Sequence, residues 1–124
     1  MDLEEGFGEF RQLSLVFERI AAGEDTEALQ TLQALERQRT GLRIPDGEFT
    51  FKMAEAYAIL GKREASLDLL ARAAAQGFGC DRWYRESPFL APIRPAPRWP
   101  SLLARVEERR ELLASRFTHR AFGL

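Results

Sequence analysis

Gly23-Glu24-Asp25-Thr26-Glu27-Ala28-Leu29 and, 38 residues further on, Gly61-Lys62-Arg63-Glu64-Ala65-Ser66-Leu67 are the two stretches that decide the fold. Each begins with a glycine, which leaves a helix cheaply where the backbone must turn left-handed. Each then runs into a new apolar pattern at three- and four-residue spacing. The first turn separates a helix over about 7–22 from one over about 26–38, with Thr26 as its expected cap and Ala28, Leu29, Leu32 and Leu35 on one face. The second, Gly61-Lys62-Arg63, separates a helix over about 48–60 from one that follows the turn and runs to about 76, and Leu67, Leu70 and Ala74 point inward from the latter. Between the two units, 39–47 reads as a loop containing Pro45 and Gly47. Helix, tight turn, helix, loop, and the same again is a helical-hairpin solenoid pattern.

Outside this repeat the composition changes. Five of the six prolines lie in 78–100, interleaved with Phe78, Trp83, Tyr84, Phe89, Leu90, Ile93 and Trp99. A disordered linker is poor in such residues, so an ordered, mostly irregular connector with one-turn helices is expected. Ser87-Pro88 reads as a helix cap followed by proline at the first helical position. A last helix over about 97–117 carries Leu102, Leu103, Val106, Leu113 and Phe117, and a tail follows from about 118. A solenoid end exposes an apolar face, and Trp83, Phe89, Ile93, Trp99 and the last helix are expected to cover it.

The repeat resembles the tetratricopeptide repeat family. Ala54, Tyr57, Gly61, Ser66, Leu70 and Ala73 stand at that family's signature spacing, and the first unit matches in Gly23, Glu27, Ala28 and Leu32. The first unit departs at Val16 and Arg19, and the period is about four residues longer than the family's 34, with the excess in 39–47. The resemblance covers about 9–77. It implies that Ala54 and Ser66 let paired helices approach, that Tyr57 fills the space between them, and that Gly61 makes the turn. Arg85–Leu103 is similar to a segment that often closes bacterial proteins of this family, although Ser87 and Ala96 replace its usual acids. The expected domain is thus all-α. Two hairpins occupy 9–77, an ordered connector 78–100, a capping helix 101–118 and a tail 119–124.

The 124 residues carry a formal charge of −1, which excludes binding driven by overall charge. The charge is uneven: residues 1–62 hold twelve acidic and seven basic groups, residues 63–124 seven and eleven. One cysteine, Cys80, excludes an internal disulfide, and one histidine, His119, excludes a His/Cys metal site, so neither metal nor cofactor is expected. The start, Met1-Asp2-Leu3-Glu4-Glu5-Gly6, is acidic rather than basic and apolar, and no run approaches a membrane span. A cytoplasmic location with no membrane partner is the expectation.

Candidate chemistry is thin. A Ser-His-acid triad would have to use His119 in the expected tail. Cys80, beside Arg82, has no nearby sulfur or imidazole partner in sequence. The acid pairs Asp25/Glu27 and Glu107/Glu108 read as helix starts and solvated faces, and Gly77-Phe78-Gly79 lacks the lysine of a phosphate loop. Arg94, Arg98, Arg105, Arg109, Arg110 and Arg116 make the C-terminal third basic, but Glu107, Glu108 and Glu111 interrupt them at helical spacing. Nucleic-acid contact there is the weaker reading, and a salt-bridged helix surface the better one.

The first helix has two apolar sides. Leu15 and Val16 are expected to hold it to its hairpin, while Phe10, Leu13, Phe17 and Ile20 form a second stripe. Phe51, Glu55 and Ile59 form the matching inward surface of the third helix. These seven residues are the candidate partner-binding surface, with ordinary core as the competing reading of the stripe. The expected function is non-catalytic: recognition of a protein or peptide, or self-association. The resembling family's best-known mode clamps a terminal carboxylate with lysines and asparagines. This chain has no asparagine and only Lys52 on its first three helices, so that mode is not expected. The alternative is a regulatory appendage at the C-terminal end of a larger bacterial enzyme or transcription regulator.

Overall fold

The computed structural model describes the backbone of residues 3–39 and 46–122; side chains at 3–7, 9, 39, 113 and 116–122 fall outside that description. Among the described residues all regular structure is helical. The order is α1 (Leu3–Ala21), α2 (Asp25–Arg39), α3 (Gly47–Ile59), α4 (Arg63–Ala75), α5 (Asp81–Glu86), a 3-10 segment (Pro88–Ile93) and α6 (Trp99–Phe122). None of these helices is long and apolar enough to cross a membrane.

Three helix ends are built alike. Gly23, Gly61 and Gly77 have φ of 79°, 77° and 102°, a conformation an L side chain resists. In each, the residue after the glycine donates its N–H five residues back: Glu24 to Arg19, Lys62 to Tyr57, Phe78 to Ala73. The glycine itself donates three residues back, which completes the Schellman pattern and satisfies the terminal carbonyls. The two repeated stretches are therefore turns of one geometry, and Gly77 adds a third. α2 begins one residue earlier than expected, so Thr26 lies in its first turn rather than at its cap. α3 is capped by Asp46, whose Oδ1 accepts from Glu48 N–H at 3.1 Å and Phe49 N–H at 3.3 Å. Most of the loop expected over 39–47 lies outside the described residues.

α1 packs on α2 and α3 on α4, while α2 and α1 both reach α3. Where α3 meets α4, Ala54 and Ser66 are fully buried and Ser66 Oγ donates to the Ala54 carbonyl at 2.7 Å. Gly47 shows the same closeness: a Cβ there would lie 2.8 Å from Phe78 Cβ and 3.0 Å from the Ala73 carbonyl oxygen. Of the pair expected to fasten α1, Val16 is fully buried but Leu15 is 37% exposed. Leu13 takes the second buried place.

After Gly77 the chain folds back over this core. The 3-10 segment packs on α3 and α4, and α6 packs on α4 and α5. Tyr84, Leu90, Ile93, Ala96, Trp99, Leu102 and Val106 are the buried contributors. Trp83 and Phe89, expected inside, are instead 39% and 43% exposed. The reason is geometric. Neighbours on a helix point about 100° apart, so in α5 Tyr84 takes the inward position and Trp83 does not. Leu90 displaces Phe89 in the same way. Ser87 precedes Pro88 as expected, yet its hydroxyl makes no cap bond and turns elsewhere. α6 continues to Phe122, so the backbone is helical where a tail was expected from 118. The side chains of Leu113, Phe117 and His119 lie outside the described residues.

Both tyrosines of the chain, Tyr57 and Tyr84, are buried. Burial, chiefly, raises both phenol pKa values well above the ordinary value of about 10. At Tyr57 the bond to Glu36 Oε1, 2.6 Å away, adds to this. The unfolded chain ionises first as pH climbs, so these groups stabilise the fold fully below pH ~10 and lose that contribution above it. Phenolate absorbance, which reports on these two residues alone, should therefore rise together with the loss of helical ellipticity. Reversible ionisation of either tyrosine at its ordinary pKa in a folded chain would contradict the burial.

Candidate functional site

Phe10 and Phe17 lie seven residues apart on α1, two turns along one face. The Phe10 side chain is 58% exposed and its ring meets Phe49 edge-on, with centroids 5.4 Å apart. Phe17 is half-buried, and its ring lies 6.1 Å from that of Phe89 on the 3-10 segment. Phe89 in turn shares with Trp83 the wall of a surface depression of about 250 Å³. Phe17, Phe89 and Trp83 thus form one partly exposed aromatic belt across α1, the 3-10 segment and α5, and Phe10 stands two turns from Phe17 on the same face of α1.

The floor of the depression is Glu55, on α3, with only 3% of its side chain exposed. Its Oε2 accepts from Ser87 Oγ at 2.5 Å. Its Oε1 lies 3.0 Å from Lys52 Nζ, but it is buried and receives no well-directed hydrogen bond. Placing a carboxylate here costs desolvation that an ion pair and one hydroxyl only partly offset. The Lys52 ammonium also stands 4.9 Å above the centroid of the Trp83 ring, where the negative π-face attracts it. The outer rim carries the exposed ion pair Arg82–Glu86, 2.8 Å.

The seven residues expected to form a partner surface separate here. Phe10 is exposed; Phe17, Ile20 and Ile59 are half-buried; Leu13, Phe51 and Glu55 are buried at 7%, 0% and 2%. Phe51 lies under three rings, with centroids 5.0 Å from Phe78 and Tyr84 and 6.0 Å from Trp83. Leu13 and Phe51 therefore line no surface. The inward face of α3 is closed over by the chain's own C-terminal half, with Phe78, Trp83 and Tyr84 on Phe51 and Ser87 on Glu55. Sequence reasoning did not place Lys52, Trp83, Ser87 and Phe89 in the site. The Lys52/Glu55 spacing of three on a helix was a usable signal. Ser87 had none, because it meets Glu55 across 32 residues of chain.

Among the described residues, several arginines of the C-terminal third are ion-paired. Arg98 bridges Glu64 and Asp68, Arg110 meets Asp81, and Arg85 pairs with Glu107. Arg94 donates to the carbonyls of Tyr84 and Ser87. Among the described residues no group of three His, Cys, Asp or Glu side chains is gathered for a metal ion, and Cys80 is exposed. The depression offers recognition chemistry: two aromatic side chains, one buried carboxylate and a partly exposed ammonium. Comparison with family models, curated proteins and solved structures found no significant match for this chain.

Proposed function

We propose that this chain is a non-catalytic helical-hairpin module of tetratricopeptide type, acting in the cytoplasm, that binds a protein or peptide. The observation that carries the reading is the aromatic belt Phe17–Phe89–Trp83, whose last two members wall the Glu55 depression. Scattered exposed apolar residues are ordinary, but contiguous aromatic ones are the residue type that anchors interfaces. The repeated glycine turns and the small Ala54–Ser66 contact support the solenoid part of the reading. The ion-paired arginines favour it over nucleic-acid binding.

The test is selection from a displayed library of random peptides on the immobilised full chain, repeated with Phe89→Glu and with Phe17→Glu. Selected peptides are expected to lose at least tenfold in affinity against either variant. Phe89 is 43% exposed, so its thermal midpoint should move by only a few degrees. If the library yields no peptide and sedimentation shows a monomer, the reading fails. Equal binding by both variants would place the interface elsewhere.

A further inference from the structure

We propose that the Glu55 depression is a lysine-binding pocket for a peptide partner and that Lys52 is its internal occupant, displaced when the partner binds. This deepens the peptide-binding reading and rests on it. The ammonium already present is the starting point. Lys52 Nζ sits 3.0 Å from Glu55 Oε1 and 4.9 Å over the Trp83 ring, so one cation is held by a carboxylate below and a π-face beside it. That arrangement accommodates an ammonium on a flexible apolar stem, as the Lys52 already seated there shows.

Glu55 and Lys52 are unequal partners. The Glu55 side chain is 3% exposed and anchored by Ser87, whereas that of Lys52 is 37% exposed and reaches its place from one turn away. The carboxylate cannot follow its partner into water; the ammonium can. Glu55 Oε1 also keeps an unmet capacity to accept a hydrogen bond. A lysine entering from outside can align on that oxygen with its stem along Phe89, a direction closed to Lys52 because its stem rises from α3 itself. With Lys52 swung out, the charges left around the depression are Glu55, Glu86 and Arg82, a net of one negative charge, which matches one incoming ammonium.

The probe is n-butylammonium, the lysine head and stem without a backbone, titrated into the full chain labelled with nitrogen-15 and read on the Trp83 indole N–H and the Phe89 amide. Saturable shifts are expected with n-butylammonium and none with n-butanol, its neutral counterpart. Lys52→Ala removes the internal competitor and should tighten binding about fivefold or more. Glu55→Gln keeps an oxygen for Ser87 but removes the charge, and should weaken binding at least tenfold. Should Glu55→Gln not fold, Trp83→Leu at a half-exposed site removes the π-face, with the same loss expected at the Phe89 amide. The proposal is overturned if n-butylammonium gives no saturable shift in either wild type or Lys52→Ala, if n-butanol acts equally, or if Lys52→Ala leaves affinity unchanged or weaker. The two readings fail separately. Library peptides indifferent to lysine-to-norleucine replacement and to Glu55→Gln would remove the pocket and keep the peptide surface. A chain that binds n-butylammonium but selects no peptide would do the reverse.

Discussion

Phe51→Ala is expected to destabilise the chain by about 3–5 kcal/mol, the range for truncating a large buried aromatic. Phe51 is fully buried on α3, and it touches the segment C-terminal to α4 rather than only its own hairpin. Phe78, Trp83 and Tyr84 all place ring centroids within 6.0 Å of it. Removing the ring leaves a cavity that cannot close by simple collapse. Tyr84 is held by its hydroxyl on the Phe78 carbonyl at 2.9 Å, and Phe78 N–H is tied to Ala73 by the Gly77 turn. Chemical denaturation should therefore show a lower midpoint with α5 and Trp83 loosened first, visible as a red-shifted tryptophan emission before the helical signal falls. A loss below about 1 kcal/mol would mean that 78–86 does not pack on α3.

That the same residue was expected on a binding surface shows how far the sequence is legible. Helical periodicity states which residues share a face, and Phe51, Glu55 and Ile59 do share one. It does not state what lies opposite. The two glycine turns were readable because a left-handed helix end has a specific chemical requirement that few residues meet. The 78–100 connector was readable as ordered, since so many aromatic and aliphatic residues among prolines must be buried somewhere. Its return across α3 was not readable, because it depends on the long-range contacts Ser87–Glu55 and Phe89–Phe17, which no local pattern encodes. Adjacent aromatics set a second limit. Trp83-Tyr84 and Phe89-Leu90 are pairs in which only one member faces the core, and a one-turn helix has too short a period to show which. Of the proposed binding surface, Phe10 and Phe17 were legible as an apolar stripe; Trp83 and Lys52 joined it only through the fold.

The two tryptophans turn that ambiguity into the sharpest remaining test. Trp99→Ala should cost about 3–5 kcal/mol, and Trp83→Ala about half of that or less. Trp99 opens α6 with only 8% exposure, below the Arg94 guanidinium, which stands 5.9 Å from its ring centroid. Arg94 in turn holds the C-terminal carbonyls of α5 and the start of the 3-10 segment through Tyr84 O at 3.1 Å and Ser87 O at 2.6 Å. Loss of the indole therefore removes buried area and also the surface that seats Arg94, so α5, the 3-10 segment and the start of α6 loosen together. Through Ser87 the damage reaches Glu55, which then holds its buried charge with one partner fewer. Trp83 has a shorter chain of dependence, through the partly exposed Lys52 ammonium alone. Its ring covers Phe51 and Phe78 from outside and keeps 39% of its surface in water. Measured by denaturant unfolding on the single variants, the ordering Trp99 well above Trp83 is the expected result. Equal losses, or the reverse order, would mean that Trp83 is the buried anchor of the connector and that the exposed aromatic belt does not exist.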